Sequence, residues 1–173
     1  PYTTLFRSPC PSGYRIPTET ELENERLSWS SNNYVGAFGS PLKFPVAGIR
    51  THDNGTFYNV DNAGYYRSST DNGASLTFYS NNALIANMHR AYGSSVRCTK
   101  NIDNPPPTPV YCTGSATAIV DVTNPTTGKI WMDRNLGATQ AATSSSDTAS
   151  YGDLYQWGRA ADGHQCRTSG TTT

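Results

Sequence analysis

The sequence predicts an α+β fold in which one short helix precedes an antiparallel β-meander. Thr18 and Glu21 have the spacing of a capping box, in which each side chain accepts a hydrogen bond from the other residue's backbone N–H. Short β-forming runs follow, separated by Asp, Asn and Gly turn signals. Strands at such spacing favour an antiparallel meander.

The helix is expected to begin directly after Thr18, because Pro17 blocks an earlier start. Leu22, Leu27 and Trp29 supply its apolar side. Six strands are then expected at residues 46–51, 56–60, 64–69, 76–79, 83–88 and 95–98. The separators at 53–55, 61–64 and 71–73 suit backbone positions with positive φ.

Later in the chain the pattern changes. Two strands are expected at 118–123 and 129–133, a Ser-rich loop at 141–149, and a short helix at 150–159 with Leu154 and Trp157 on one side. Residues 102–116 contain a proline run that favours extended backbone, so a semi-rigid linker is expected there. Residues 1–8 match the translation of a common sequencing-library adapter, so we expect them to be a scar of assembly.

Composition limits the functions that the chain supports. The 13 basic and 13 acidic residues cancel, and no basic run is present. This balance argues against nucleic acid as a partner, which requires clustered Lys and Arg. Membrane insertion is not expected either, because no apolar run approaches about 18 residues. The even count of 4 cysteines without a C-x-x-C pair fits an oxidising compartment, which predicts an extracellular or bacterial cell-surface protein.

Five motifs carry a family resemblance. CPSGYRIPT at 10–18, GYYRSS at 64–69 and SVRCTK at 95–100 resemble the C-terminal half of the Fibrobacter major paralogous domain family. GKIWMDRNL at 128–136 and YGDLYQW at 151–157 resemble its N-terminal half. The resemblance implies a C-terminal half-domain at 9–101 and an N-terminal half-domain at 117–173, in permuted order.

The family is distantly similar to C-type lectins and to the formylglycine-generating enzyme. The resemblance therefore implies a C-type-lectin-like fold in surface or secreted bacterial proteins, often built from tandem copies. Three explanations of the permuted order stay open: a tandem array cut out of frame, a genuine circular permutant, or two complementary halves that close on each other.

Disulfide expectations follow from this layout. In a C-type-lectin-like arrangement, a bridge from Cys10 to Cys98 tethers the helix start to the last strand. The alternative is that these thiols are free or paired differently. Cys112 and Cys166 form a second candidate pair, although each could instead find a partner in another part of its module.

Candidate ligand-binding residues cluster in the predicted strand region. Tyr and Asn supply broad contacts and adaptable hydrogen bonds, and aromatic faces suit sugar rings. The candidates are Tyr65, Tyr66, Arg67, Tyr79, Asn81, Asn82, Asn87, His89, Arg90 and Tyr92. The alternative is that about half of these tyrosines serve cross-strand packing.

Calcium is the one cofactor that the sequence suggests. Asp53, Asn54, Asp61 and Asn62 carry the oxygen ligands that Ca²⁺ prefers. None of the segments matches a complete EF-hand loop, and plain hairpin turns explain them better than a calcium site does.

No catalytic residue is predicted. The chain contains no Ser–His–Asp order, no H-E-x-x-H motif and no glycine-rich phosphate loop. His52, His89 and His164 lack ligand spacing and are expected to be surface or strand histidines. We therefore expect a non-enzymatic secreted or cell-surface module that binds glycans, a surface protein or neighbouring copies in adhesion. The alternatives are an enzyme related to the formylglycine-generating fold and a structural spacer in a repetitive surface protein.

Overall fold

The computed structural model describes residues 8–101, 112–159 and 161–170. The expected adapter scar at 1–8, apart from Ser8, and most of the expected linker at 102–116 lie outside the described residues. The described chain is α+β, with two short α-helices and several small antiparallel sheets.

Helix α1 spans Glu19–Leu27 and has the predicted capping box. The Thr18 hydroxyl accepts a hydrogen bond from the Glu21 N–H at 3.2 Å, and the Glu21 carboxylate accepts one from the Thr18 N–H at 2.9 Å. Leu22 is buried as expected. The expectation for Leu27 is wrong, because its side chain is 64% exposed in the last residue of the helix.

Helix α2, Tyr34–Gly39, was not predicted. The Asn33 side chain caps it by accepting hydrogen bonds from the N–H groups of Val35 and Gly36. A six-residue helix that contains two glycines has little periodic signal, so its sequence does not distinguish it from a loop.

The predicted meander is present in part. Strands β2, Ile49–Arg50, and β3, Phe57–Tyr58, form a hairpin, whereas β4, Gly64–Arg67, β5, Ala74–Phe78, and β6, Ala83–Asn87, form a separate three-stranded antiparallel sheet. The turn residues Gly55, Asp61 and Gly73 have positive φ, as their types suggest.

A four-stranded antiparallel sheet joins distant parts of the chain. It consists of β1, Tyr14–Arg15, β7, Thr99–Lys100, β9, Ile130–Met132, and β8, Asp121–Thr123, in that spatial order. The strand expected at 95–98 is displaced to β7. Strands from both sides of residues 102–111 thus share one sheet.

The helix expected at 150–159 is wrong. A 3₁₀-helix spans Thr148–Ser150, and residues 151–159 then have no regular secondary structure apart from a bridge at Tyr155 and a turn at 157–158. Ser94 and Tyr155 exchange backbone hydrogen bonds at 2.8 and 3.0 Å. This long-range bridge satisfies backbone groups that a helix would have paired locally.

The main core is shared in the same way. Trp131, on β9, is fully buried against residues of the earlier part of the chain. The cluster contains Leu22, Trp29, Ala37, Leu42, Phe44, Val46, Tyr66, Leu76, Phe78, Ala83 and Trp131. Removing the β9 segment would therefore open the centre of this core.

A buried polar network lies beside this core. The Arg97 guanidinium donates two hydrogen bonds to the Asn135 side-chain oxygen, at 3.0 and 2.9 Å, and one to the Leu42 carbonyl at 2.5 Å. The Asn135 amide donates to the Tyr66 hydroxyl at 3.0 Å and to the Tyr151 carbonyl at 3.2 Å. The buried Asn135 oxygen is thus the side-chain acceptor for the buried Arg97 guanidinium.

Disulfides join Cys10 to Cys98 and Cys112 to Cys166, the two pairings that the sequence suggested. Such bridges form in oxidising compartments, so the protein is of a non-cytoplasmic, extracellular type. Neither α-helix of the described residues has the length and hydropathy needed to span a bilayer.

Substituting Asn135→Ala should destabilise the protein strongly. The change leaves the buried Arg97 guanidinium without its side-chain acceptor, which should lower the free energy of unfolding by about 3 kcal/mol. Urea denaturation followed by circular dichroism measures this loss. The matched control Asn87→Ala alters an exposed strand residue and should change stability by less than about 0.5 kcal/mol. Equal losses in the two variants would contradict the role assigned to the network.

Candidate functional site

The predicted ligand-binding surface is divided in the structure. Tyr66 and Arg67 are each only 1% exposed, because Tyr66 packs in the main core and Arg67 lies against Tyr92 and Ser94. They cannot form part of a ligand-facing surface, and this corrects the expectation for both. Tyr65 is also buried, and it packs with Ile49 and Ala63.

The remaining candidates lie at different places on one sheet. Asn81 and Asn82 are exposed in the turn before β6, whereas His89 and Arg90 are exposed after its other end. The two asparagines and the His89–Arg90 pair therefore lie at opposite ends of β6. We call the end near His89 the histidine end. Half-buried Tyr79 and Tyr92 both pack against the cluster around Tyr65, so part of each ring serves packing.

Three rings come together at the histidine end. The His52 and His89 rings stack with centroids 4.2 Å apart, and the Tyr92 ring lies 4.8 Å from His52. We call these three residues the ring cluster. His52 was not among the predicted binding residues, because 37 positions separate it from His89 in the chain.

A polar cleft of about 340 Å³ opens beside the ring cluster, and His52 belongs to both. Residues from the β2–β3 hairpin, the segment after β6 and the stretch 154–170 meet there. The cleft is lined by Arg50, Thr51, His52, Asp53, Asn54, Gly55, Gly93, Leu154, Gln156, Arg159, His164 and Gly170. Most of these side chains carry hydrogen-bonding groups, so the cleft suits a hydroxyl-rich or charged ligand.

Arg50 connects two walls of the cleft. Its Nη1 donates to the His164 carbonyl at 3.3 Å and to the Ser169 hydroxyl at 2.5 Å, and its Nη2 donates to the Arg167 carbonyl at 2.8 Å. The guanidinium also lies 4.9 Å from the Phe57 ring centroid. The side chain thus holds the segment 164–169 against the hairpin.

His164 is held in one orientation. Its Nδ1 lies 2.7 Å from the Asp162 carboxylate, and its Nε2 accepts a hydrogen bond from the Gln156 N–H at 3.4 Å. Burial lowers the pKa of His164, and the neighbouring Arg159 and Arg50 add to the effect, while Asp162 opposes it. Both ring nitrogens are engaged, which fits a positioning role better than proton transfer.

The outer wall of the cleft, residues 161–170, is held by a disulfide and by hydrogen bonds to other parts of the chain. The Cys112–Cys166 disulfide anchors it, and Arg167 donates to the Gly152 carbonyl at 2.6 Å and to the Ala47 carbonyl at 3.1 Å. These contacts hold the wall in place without any regular secondary structure.

The suggested calcium residues do not form a common site. The Asn54 side-chain oxygen accepts three hydrogen bonds, from the Thr51 hydroxyl and from the N–H and hydroxyl of Thr56, and so stabilises its own turn. Asp61 accepts a hydrogen bond from the Tyr151 hydroxyl, and the Asn62 amide donates to its own turn. Among the described residues, no group of three or more His, Cys, Asp or Glu side chains could hold a metal ion.

Comparisons with known proteins identify no relative of this chain. No protein-family model, no curated protein and no solved structure matches the chain. The resemblance to the major paralogous domain family therefore stays a prediction based on the quoted motifs, and the site has to be interpreted from its own chemistry.

The sequence alone did not point to the cleft. Arg50, Gln156, Arg159 and His164 belong to segments about a hundred residues apart in the chain, and none of them stands in a recognisable motif. The three histidines carry no ligand spacing, yet two of them stack and His52 and His164 line the same cleft.

A second, smaller cavity of about 270 Å³ lies near the Cys112–Cys166 bridge and contains Asp153. Asp153 as a whole residue is 6% exposed. Burial raises its pKa to about 6, against the opposing effects of Arg167 and of a hydrogen bond with Tyr155. Ionising Asp153 is therefore less favourable in the folded protein than in the unfolded chain.

Substituting Asp153→Asn should stabilise the protein at neutral pH. In the unfolded chain the Asp153 carboxyl has its ordinary pKa of 3.8, so the native state loses stability as the pH rises from about 4 through about 6. The amide cannot ionise, so we expect its free energy of unfolding to exceed that of the unsubstituted protein by about 1–3 kcal/mol at pH ~8 and to match it at pH ~3.5. Urea denaturation at both pH values measures the difference. The exposed control Asp71→Asn should change stability by less than about 0.5 kcal/mol at either pH. A pH-independent effect of Asp153→Asn would contradict the prediction.

Replacing both Cys112 and Cys166 with serine should loosen the outer wall of the cleft. We expect faster amide hydrogen exchange at residues 161–170, because the wall would lose its covalent anchor and be held only by non-covalent contacts such as those of Arg50, Arg167 and Gln156. The matched variant, with Cys10 and Cys98 replaced, opens the longer loop and should lower global stability by up to about 4 kcal/mol without selective exchange in the wall. Hydrogen exchange read by mass spectrometry separates the two patterns, and identical exchange maps would sink this assignment.

Proposed function

We propose that this protein is a non-enzymatic, secreted or cell-surface module that binds a glycan in the polar cleft and takes part in adhesion. The observation that carries the proposal is the ring cluster beside a cleft rich in hydrogen-bonding groups. Flat rings suit the apolar faces of sugars, while polar side chains suit their hydroxyl groups. We also propose a C-type-lectin-like fold with permuted halves, as the family motifs suggest.

Several features support binding over catalysis at this site. The nitrogens of His164 are both engaged, and the Arg50 guanidinium is used to join two walls. All 4 cysteines of the chain lie in disulfides, so cysteine chemistry of the kind expected for a formylglycine-generating relative would require one of them to be reduced. A binding role uses the cleft without any such rearrangement.

A glycan array is the direct test. The protein should retain a limited set of glycans, and isothermal titration calorimetry should give a dissociation constant in the micromolar to millimolar range for a soluble oligosaccharide from that set. Tyr92→Ala and His89→Ala each remove one ring of the ring cluster and should weaken binding about 5–20-fold, corresponding to about 1–2 kcal/mol.

Tyr58→Ala is the matched control, because the Tyr58 ring is exposed and does not line the cleft. It should leave the dissociation constant unchanged. Equal losses in all three variants would place the binding outside the ring cluster. An array with no retained glycan would remove the proposal and favour a structural spacer.

A further inference from the structure

Two arginines beside the cleft have no acidic partner. The nitrogens of Arg50 bond to carbonyl and hydroxyl oxygens, and Nη2 of Arg67 donates to the Tyr92 carbonyl and the Ser94 hydroxyl. Among the described residues, neither guanidinium forms an ion pair with a carboxylate, and Nε of both, together with Nη1 of Arg67, is buried without a hydrogen-bond partner.

Both arginines are placed at the cleft through Gly93, Arg50 as part of the lining and Arg67 behind it. Arg50 exchanges backbone hydrogen bonds with Gly93 at 2.9 and 3.0 Å, and Gly93 lines the cleft. Arg67 binds the two residues on either side of Gly93. The Arg67 guanidinium therefore lies behind Gly93, whereas the Arg50 guanidinium extends from the same strand pair to the wall formed by residues 164–169.

The pKa values of the two arginines reflect their burial without an acidic partner. Burial lowers the pKa of Arg50 and lowers that of Arg67 to about 10, and no neighbouring acid raises either. A charge that has lost hydration without gaining a counter-charge is unfavourable. An anion placed in the cleft would supply that counter-charge.

The other charges of the cleft leave room for an anion. Asp53 is the one carboxylate that lines it within the described chain, and its side chain is exposed on the hairpin turn. Arg159 and His164 also line it, and both contact Asp162. Arg50 and Arg67 contribute two positive charges that no ion pair of the described residues offsets, and Asp53 contributes one negative charge, so the cleft carries an excess of one positive charge.

We propose that the cleft recognises a sugar that bears an anionic group, a carboxylate or a sulfate ester, and that Arg50 supplies the charge that selects it. This inference rests on the proposed glycan binding and specifies its ligand class. A volume of about 340 Å³ exceeds what one inorganic anion fills, and the ring cluster provides a surface for the sugar ring attached to the anion.

The test compares charged sugars with their neutral counterparts. Calorimetry is run with tri-galacturonic acid and its methyl ester, and with a sulfated galactan oligosaccharide and its desulfated form. We expect at least one charged member to bind about tenfold more tightly than its neutral partner at low salt, and this preference to shrink in about 0.5 M NaCl. The pair that shows the preference identifies the source of the anion.

Three variants locate the selectivity. Asp53→Asn removes a like charge from the cleft and should tighten binding of the charged sugar about 2–5-fold without affecting the neutral one. Arg50→Gln should abolish the preference, and Arg50→Lys, which keeps the charge, should retain it. The exposed control Asp71→Asn does not line the cleft and should change neither affinity.

The outcomes separate the two proposals. If the neutral sugars bind as tightly as the charged ones, or if Asp53→Asn has no effect, the anionic ligand class is wrong while glycan binding stands. If no sugar binds but sodium sulfate does, the cleft takes a free anion, and both the sugar class and the proposed function fall. Should Arg50→Gln prevent folding, Asp53→Asn still decides the question, because its side chain is exposed.

Discussion

The two hydrogen bonds between the Arg97 guanidinium and the Asn135 side-chain oxygen hold together stretches of chain on either side of residues 102–111. Both side chains are buried, and Tyr66 and Leu42 complete the network. Leaving such a guanidinium unpaired in the interior is costly, so an arrangement that satisfies it is strongly preferred. The shared four-stranded sheet and the core around Trp131 exist in that same arrangement.

The position of the cleft follows from this constraint. Asn135 also donates to the Tyr151 carbonyl, and four residues later Tyr155 forms its bridge with Ser94. The segment that carries Gln156, Arg159 and His164 is thereby directed towards the β2–β3 hairpin. A surface feature thus depends on a buried polar contact that lies outside its lining.

Features encoded over a few residues could be predicted from the sequence. The capping box of α1, the positive-φ turns at Gly55 and Gly73, and most strands with local partners follow from short-range chemistry. The burial of Tyr66 and Arg67 could not be predicted, because it depends on which elements cover β4. The cleft was invisible for the same reason: its walls come from segments that only the tertiary fold brings together.

The buried arginines differ in how fully their guanidinium groups are hydrogen-bonded, and this difference distinguishes an arginine that stabilises the fold from arginines proposed to serve binding. Arg97 is fully buried and served by Asn135 and backbone carbonyls, as a structural charge should be. Of the five buried side-chain nitrogen and oxygen atoms without a partner in the described chain, three belong to Arg50 and Arg67. Stability alone would favour neutral residues at these two positions, since an uncompensated charge weakens the fold. A cost concentrated beneath one cleft is expected where the charge is used for binding, because departures from local optimisation tend to lie at functional sites.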